Sequence, residues 1–346
     1  MSGGAPYRVA VVGATGAVGS TMLAILRERD FPASEIVPFA SERSTGRELD
    51  GGLTVRALEE GDAIAGFDVA LFSCGSGPSR EWAPRFVAAG SVVVDNSSAW
   101  RMESDVPLVV AEVNPEALDG HRGLVANPNC STMQMVVALK PLHDAVGVER
   151  VVVSTYQSVS GTGQSAVDEL ADQSHAMLHE MDPPASEVYP HRIAFNVIPQ
   201  VETFPDGDDY TTEERKLINE THKILGDDAI RVSPTCARVP VPVGHSQSIN
   251  LRTRDALSPE RCRELLAAAP GVTVVDDPAD GVYPLPSDAA GRDDVLVGRI
   301  RPDPSEARTL NLWVVSDNLR KGAALNAVQL AELLAERNLL GAAARA

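Results

Sequence analysis

The chain has 346 residues, 44% hydrophobic and 23% charged, with a formal net charge of −18. That is ordinary soluble globular composition at a length that calls for two cores rather than one. The negative charge argues against nucleic acid as a partner, and aromatics at 4% leave no stacking platform for bases.

No apolar run of about 18 residues occurs, and the first residues lack a basic start followed by an apolar stretch. Neither membrane insertion nor export is indicated, and a cytoplasmic location is expected. Cys74, Cys130, Cys236 and Cys262 form no CxxC pair, so reduced thiols and no metal site are expected.

The opening reads as strand, Gly-rich turn and helix: Tyr7–Val12, then Gly13 to Gly19, then a helix over Ser20–Arg29. Glycines at 13, 16 and 19 make a variant of the dinucleotide-binding turn. Directly after a first strand, the turn residues Gly13, Thr15, Gly16, Ala17 and Val18 would turn backbone N–H groups and a helix dipole toward a pyrophosphate. The second strand, Ile36–Ala40, ends in Ser41, Glu42, Arg43 and Ser44, where an NAD-selective site would place an acid. Arg43 and Ser44 offer donors to a ribose 2′-phosphate, which favours NADP, with Glu42 as the discordant neighbour. Strands at 68–72 and 91–95 flank a helix over 79–89, so a parallel sheet is expected. Ser73 and Gly75 follow one strand's carboxyl end and Arg101 the other's, where ligands lie in open α/β sheets. Read alone, Arg101 could equally be an exposed loop residue.

In Asn127-Pro128-Asn129-Cys130-Ser131-Thr132, the proline favours a turn and an apolar helical run follows. Cys130 is therefore placed at a helix start, where free N–H groups and the helix dipole would stabilise a thiolate or bind an oxyanion. A small buried hydrophobe is the alternative, and core packing is the reading for the other three cysteines.

After that helix come a strand over 150–158, helices over 164–178, 212–225 and 259–269, and strand-like runs at 193–198, 229–232, 246–252, 272–275, 295–301 and 309–315. A second domain with a mixed or largely antiparallel sheet is expected. A last helix ending near Leu340 should rejoin the first domain. The expected division is 1–129 with 318–346 for a Rossmann-like domain, and 130–317 for the second.

The motifs GATGAVG at 13–19, SERSTG at 41–46, DNSSAWR at 95–101, NPNCST at 127–132, YQSVSGTG at 156–163, IAFNVIPQ at 193–200, TEERKLINET at 212–221, RVPVPVGHS at 238–246 and DNLRKGAALNA at 317–327 stand in family order. On them the chain resembles the bacterial aspartate-semialdehyde dehydrogenases over nearly its whole length. The resemblance implies NADPH-dependent reduction of aspartyl phosphate to the semialdehyde with release of phosphate, toward lysine, methionine and threonine. It implies Cys130 as nucleophile, His245 as acid/base and Gln157 as the residue orienting substrate or thioester. Arg101 and Lys216 would take the phosphate, Arg238 the substrate carboxylate and Glu213 its ammonium, with Asn129 beside them. Ser160, Gly161 and Asn318 would meet the nicotinamide end, and a homodimer would form through the second domain.

Residue chemistry agrees with those roles. A thiolate displaces phosphate to leave a thioester, which accepts hydride far more readily than a carboxylate does. Proton transfer calls for a group titrating near neutrality, and His245, in a turn entering a strand, need not be a core residue. Glu213 and Lys216, three apart on a helix, share a face; a solvated ion pair is the plain alternative. Gln157 could be a solvent-facing amide. Two competing readings are N-acetyl-γ-glutamyl-phosphate reductase, against which Asn129 before the cysteine and Glu213 both speak, and a non-catalytic NADP-binding oligomer.

Overall fold

The computed structural model describes residues 6–58 and 61–340. The chain folds into two compact units, one of residues up to Pro128 together with those from Ala323 onward, the other Asn129–Gly322.

The first unit carries β1 (Tyr7–Val12), α1 (Ala17–Glu28), β2 (Ala33–Ala40), a small hairpin of β3 (Glu48–Leu49) and β4 (Leu53–Thr54), β5 (Arg56–Ala57), β6 (Val69–Phe72), α2 (Ser76–Ala88), β7 (Val92–Asp95) and β8 (Leu124–Ala126). Six strands form a parallel sheet in the order β5-β2-β1-β6-β7-β8. Strands β6 and β7 are buried at every position, as expected of strands covered on both faces. Alternation then decides which side chain meets which layer. Val9, Val11, Val69, Leu71, Val92 and Val94 join the core with α1, whereas Phe72 and Phe39 meet Phe86 of α2 edge-on, with ring centroids 5.3 and 6.1 Å away. α1 and α2 each begin three residues before their expected starts.

The second unit carries α3 (Cys130–Val146), β9 (Val148–Gln157), α4 (Gln164–Leu178), α5 (Thr212–Leu225), β10 (Arg231–Arg238), β11 (His245–Thr253), α6 (Pro259–Ala267), β12 (Val272–Val274), α7 (Pro286–Ala289), β13 (Val295–Pro302) and β14 (Thr309–Ser316). The sheet order is β10-β9-β11-β14-β13-β12, parallel at its two outer pairs and antiparallel between. α3 is buried at every position from Ser131 to Leu139, which fits a helix apolar all round. α5 is fixed by a capping box between Thr211 and Glu214 and ends on Gly226 in the left-handed conformation.

Two expected strands are corrected. The run 193–198 forms no strand: Gln173 Oε1 accepts from the N–H groups of Ile193 and Ala194, Phe195 takes a positive φ, and only Ile198 bridges to the sheet. Its apolar residues have a side-chain amide for backbone partner instead of a ladder. The strand expected at 229–232 instead runs Arg231–Arg238, through Pro234. It sits at the sheet's edge, where a missing N–H costs nothing.

A π-helical turn over Arg320–Ala324 leads into α8 (Leu325–Glu336), whose residues Leu325, Ala327, Val328, Leu330, Ala331 and Leu334 complete the first unit's core against α1. Residue 129 and residues 318–322 thus fall in the second unit rather than the first. The cause for Asn318 is visible in its side chain, which is bonded to Ser158, Ser160 and Gly244.

Candidate active site

In the first unit a cavity of 460 Å³ opens beyond the carboxyl ends of β1, β2 and β6, with Gly13, Thr15, Gly16, Ser41, Glu42 and Ser73 on its wall. The Gly-rich turn is held by two bonds, from the N–H groups of Gly13 and Ala14 to the carbonyl of Phe39. Gly13 has φ +87°, and a Cβ there would stand 2.2 Å from the Ser73 carbonyl oxygen. Gly16 is the N-cap of α1; no side chain caps that helix and no acid stands in its first turn, which begins with Ala17 and Val18. The open cradle and uncapped helix start fit a pyrophosphate.

Glu42 lies on the cavity wall, and Arg43 and Ser44 follow on one exposed 3-10 turn. Gly75 caps α2 with open space where a Cβ would stand. Cys74 is corrected: it is half-buried on the cavity wall rather than in the core, and burial with Asp95 nearby pushes its thiol up to about 12. Arg101 is 7% exposed, no solvated loop residue; its guanidinium donates to the carbonyls of Asn127 at 2.9 Å and Asn96 at 2.7 Å.

In the second unit a cavity of 510 Å³ has Cys130, Asn129, Gln157, Gly161, Glu213, Arg238 and His245 on its wall. Cys130 is the first residue of α3 and half-buried. Asn129 caps that helix: its Oδ1 accepts from Ser131 N at 2.9 Å and Thr132 N at 3.1 Å. The helix dipole still favours a thiolate at Cys130, but these two N–H groups are occupied and do not form the expected oxyanion site.

Glu213 gathers the polar end of the cavity. Its carboxylate accepts from Asn129 Nδ2 at 2.9 Å and Gln157 Nε2 at 3.0 Å and pairs with Lys216 at 3.5 Å. Gln157 is 1% exposed, so it is not a solvent-facing amide. Lys216 also pairs with Glu202, which sequence reasoning missed together with Tyr189; both lie in turn-rich segments without periodicity. Glu220, a further buried acid of α5, accepts from Asn129 N at 2.7 Å.

Arg238 is 6% exposed, donates to the Ser158 carbonyl at 2.7 Å and lies over the Tyr189 ring. His245 is fully buried, contrary to the expectation for a turn residue. Burial first, then Arg238, hold its pKa well below the usual imidazole value, so it does not titrate near neutrality. Its Nδ1 accepts from Ser158 N at 3.0 Å, and its Nε2 has no partner among the described residues. Ser160 and Asn318 bond to each other behind it.

A parallel dinucleotide-type sheet and a second unit with a cysteine at the start of a buried helix define a two-domain α/β dehydrogenase with an NAD(P)-binding first domain. Residues 8–121 match the family model described as semialdehyde dehydrogenase, NAD binding domain, and residues 139–321 the one described as semialdehyde dehydrogenase, dimerisation domain. An aspartate-semialdehyde dehydrogenase of Aquifex aeolicus is 53% identical, over 96% of this chain and 99% of its own. The crystal structure of aspartate semialdehyde dehydrogenase II from Vibrio cholerae superposes with a TM-score of 0.92 at 48% identity, covering 96% of this chain and 99% of that one. The enzyme from Candida albicans, crystallised with NADP, gives 0.75 at 28% identity, covering 96% and 99%. The chain belongs to the aspartate-semialdehyde dehydrogenase family.

Proposed function

We propose that the protein reduces L-aspartyl-4-phosphate to L-aspartate 4-semialdehyde with NADPH, releasing phosphate, on the route to lysine, methionine and threonine. The observation that carries this reading is the cavity of the second unit, which brings Cys130, His245, Arg238 and Glu213 together. Family membership narrows the substrate to this acyl phosphate, and a Vibrio cholerae relative has been crystallised with ASA.

Cys130 attacks the acyl carbon as a thiolate favoured by the α3 dipole, expels phosphate and holds a thioester. Arg238 takes the substrate carboxylate in fork geometry and Glu213 its ammonium. Gln157 and Asn129, both bonded to Glu213, keep that end of the substrate in place. Lys216 and Arg101 supply positive charge to the phosphate, and His245 serves the reacting oxygen. When bound, a reduced nicotinamide would supply the hydride for reduction of the thioester to the aldehyde. Gly13, Thr15, Gly16, Ala17, Val18, Ser73 and Gly75 would hold its pyrophosphate side, Ser41, Arg43 and Ser44 the 2′-phosphate, and Ser160, Gly161 and Asn318 the nicotinamide end.

The protein acts as a homodimer through its second unit. The matched dimerisation model and the partly exposed pair Tyr156 and Trp313 on the sheet, 5.4 Å apart, support this.

Phosphate-dependent oxidation of the semialdehyde, run with NADP and with NAD, tests the reading on the wild type and Cys130→Ser. Wild-type turnover with NADP should exceed that of the variant by at least about a thousandfold. Equal rates would end the proposal, and a preference for NAD would reassign the cofactor to Glu42.

A further inference from the structure

We propose that Glu202 competes with phosphate for Lys216: it holds the lysine, gives way to the phosphate of the substrate and returns as phosphate leaves, which deepens the reading above and rests on it. Charge sets the problem. Glu202, Glu213 and Arg238 stand on the wall of the second unit's cavity, and Lys216 is paired with both acids, with Glu202 and, at 3.5 Å, with Glu213. The fixed charges of these four side chains cancel. A phosphate group brings nearly two further negative charges, and it meets a lysine whose two neighbours are carboxylates. One acid has to yield.

Burial decides which. The Glu213 side chain is 3% exposed and accepts from Asn129 Nδ2 at 2.9 Å and Gln157 Nε2 at 3.0 Å, so moving it would strand a buried charge and two amides. Glu213 stays. The Glu202 side chain is 40% exposed, and beside the lysine it accepts from Thr212 Oγ1 at 2.5 Å. Water can solvate that carboxylate as soon as it turns away, and the ammonium is left to the incoming phosphate.

The backbone keeps Glu202 within reach of its lysine. Glu202 has φ +63°, a left-handed conformation uncommon for a residue with a side chain, and its carbonyl accepts from Gln200 Nε2 at 2.8 Å. One residue on, Thr203 O accepts from Thr212 N at 2.9 Å, which fastens this segment to the first turn of α5, where Glu213 and Lys216 stand. Strained backbone of this kind persists only where its surroundings hold it, and it gathers at ligand clamps and switches. The carboxylate is thus a tethered anion.

A group on a short tether acts at an effective concentration of about millimolar or more, so phosphate binds at Lys216 against a standing competitor. The competitor matters most after the thioester forms. Phosphate then has to leave, and Glu202 returning to the lysine closes the place it held. A residue that merely positioned Lys216 would act in the opposite sense: its removal would loosen the lysine and weaken phosphate binding, whereas removal of a competitor tightens it. The direction of the change separates the two roles.

Calorimetric titration of the full-length protein with inorganic phosphate at low ionic strength tests this. Glu202→Gln removes the charge and keeps an oxygen for Thr212, and it should bind phosphate about three- to tenfold more tightly than the wild type. Glu202→Ala should shift the Kd in the same direction, and the KM for phosphate in semialdehyde oxidation should fall by a similar factor in both. A Kd that is unchanged or raised in either variant would overturn the proposal. Lys216→Met should weaken phosphate binding about tenfold or more. If it does so while Glu202→Gln has no effect, the competition alone is wrong; if it does not, Lys216 is not the phosphate's partner, and that part of the reading above falls together with this proposal. The titration uses no turnover, so a wrong acyl substrate would fail the Cys130→Ser assay and leave these affinities as they are.

Discussion

Gly161 carries no reactive group, yet the space over His245 depends on it. A Cβ at this position would meet His245 Nε2 and Arg238 Nη1 at 3.3 Å each, tighter than ordinary contact. Its φ is not among the positive values, so alanine suits the backbone and only the crowding is new. Gly161→Ala should therefore lower kcat/KM by about ten- to a hundredfold, as small misplacements at a reacting centre do. Its urea midpoint should stay at the wild-type value; a fall in both together would mean the loop had unfolded. At this scale the sequence named the reactive groups but not their surroundings. His245 and Gln157 were open to a solvent-facing reading because burial comes from contacts distant in sequence, which no local spacing records.

Helices were legible where their signals are local. α4 and α5 occupy the expected residues because apolar spacing and the Thr211–Glu214 capping box lie within the segments themselves. Strands with a partner elsewhere were not: β10 crosses a proline that only an edge position tolerates, and 193–198 looks like a strand until Gln173 takes its N–H groups. The start of α3 belongs to the legible class, and it links stability to the site. Asn129 caps two N–H groups with Oδ1 and bonds Glu213 with Nδ2. Asn129→Ala should cost about 1–2 kcal/mol in denaturant unfolding from the lost cap. Asn129→Asp should recover much of the cap yet set a second carboxylate against Glu213, so activity should remain low. If Asp restores both stability and activity, the bond to Glu213 has no part in the site.

Across the whole molecule, the groups whose ionisation folding opposes set the pH limits of stability. His245 is fully buried with its pKa held well below 6.5, so the folded protein keeps it neutral while an unfolded chain takes up a proton below that value. The unfolded state then binds more protons than the folded one. Stability is consequently full above about pH 6.5 and is lost as pH falls toward the folded pKa, by up to about 1.4 kcal/mol per pH unit. The alkaline side is bounded in the opposite sense. Burial raises Cys236 and lifts Cys262 to about 12, so their contribution holds below pH 9 and fades above it as the unfolded thiols ionise. Urea unfolding at several pH values between about 5 and 8 should show the acid slope in the wild type, and His245→Asn should show a shallower one, since asparagine has no proton to exclude. The two slopes diverge only if the folded site excludes the imidazolium. Parallel slopes would mean that this ring charges in the folded protein, and that the contact from Ser158 does not hold against protonation.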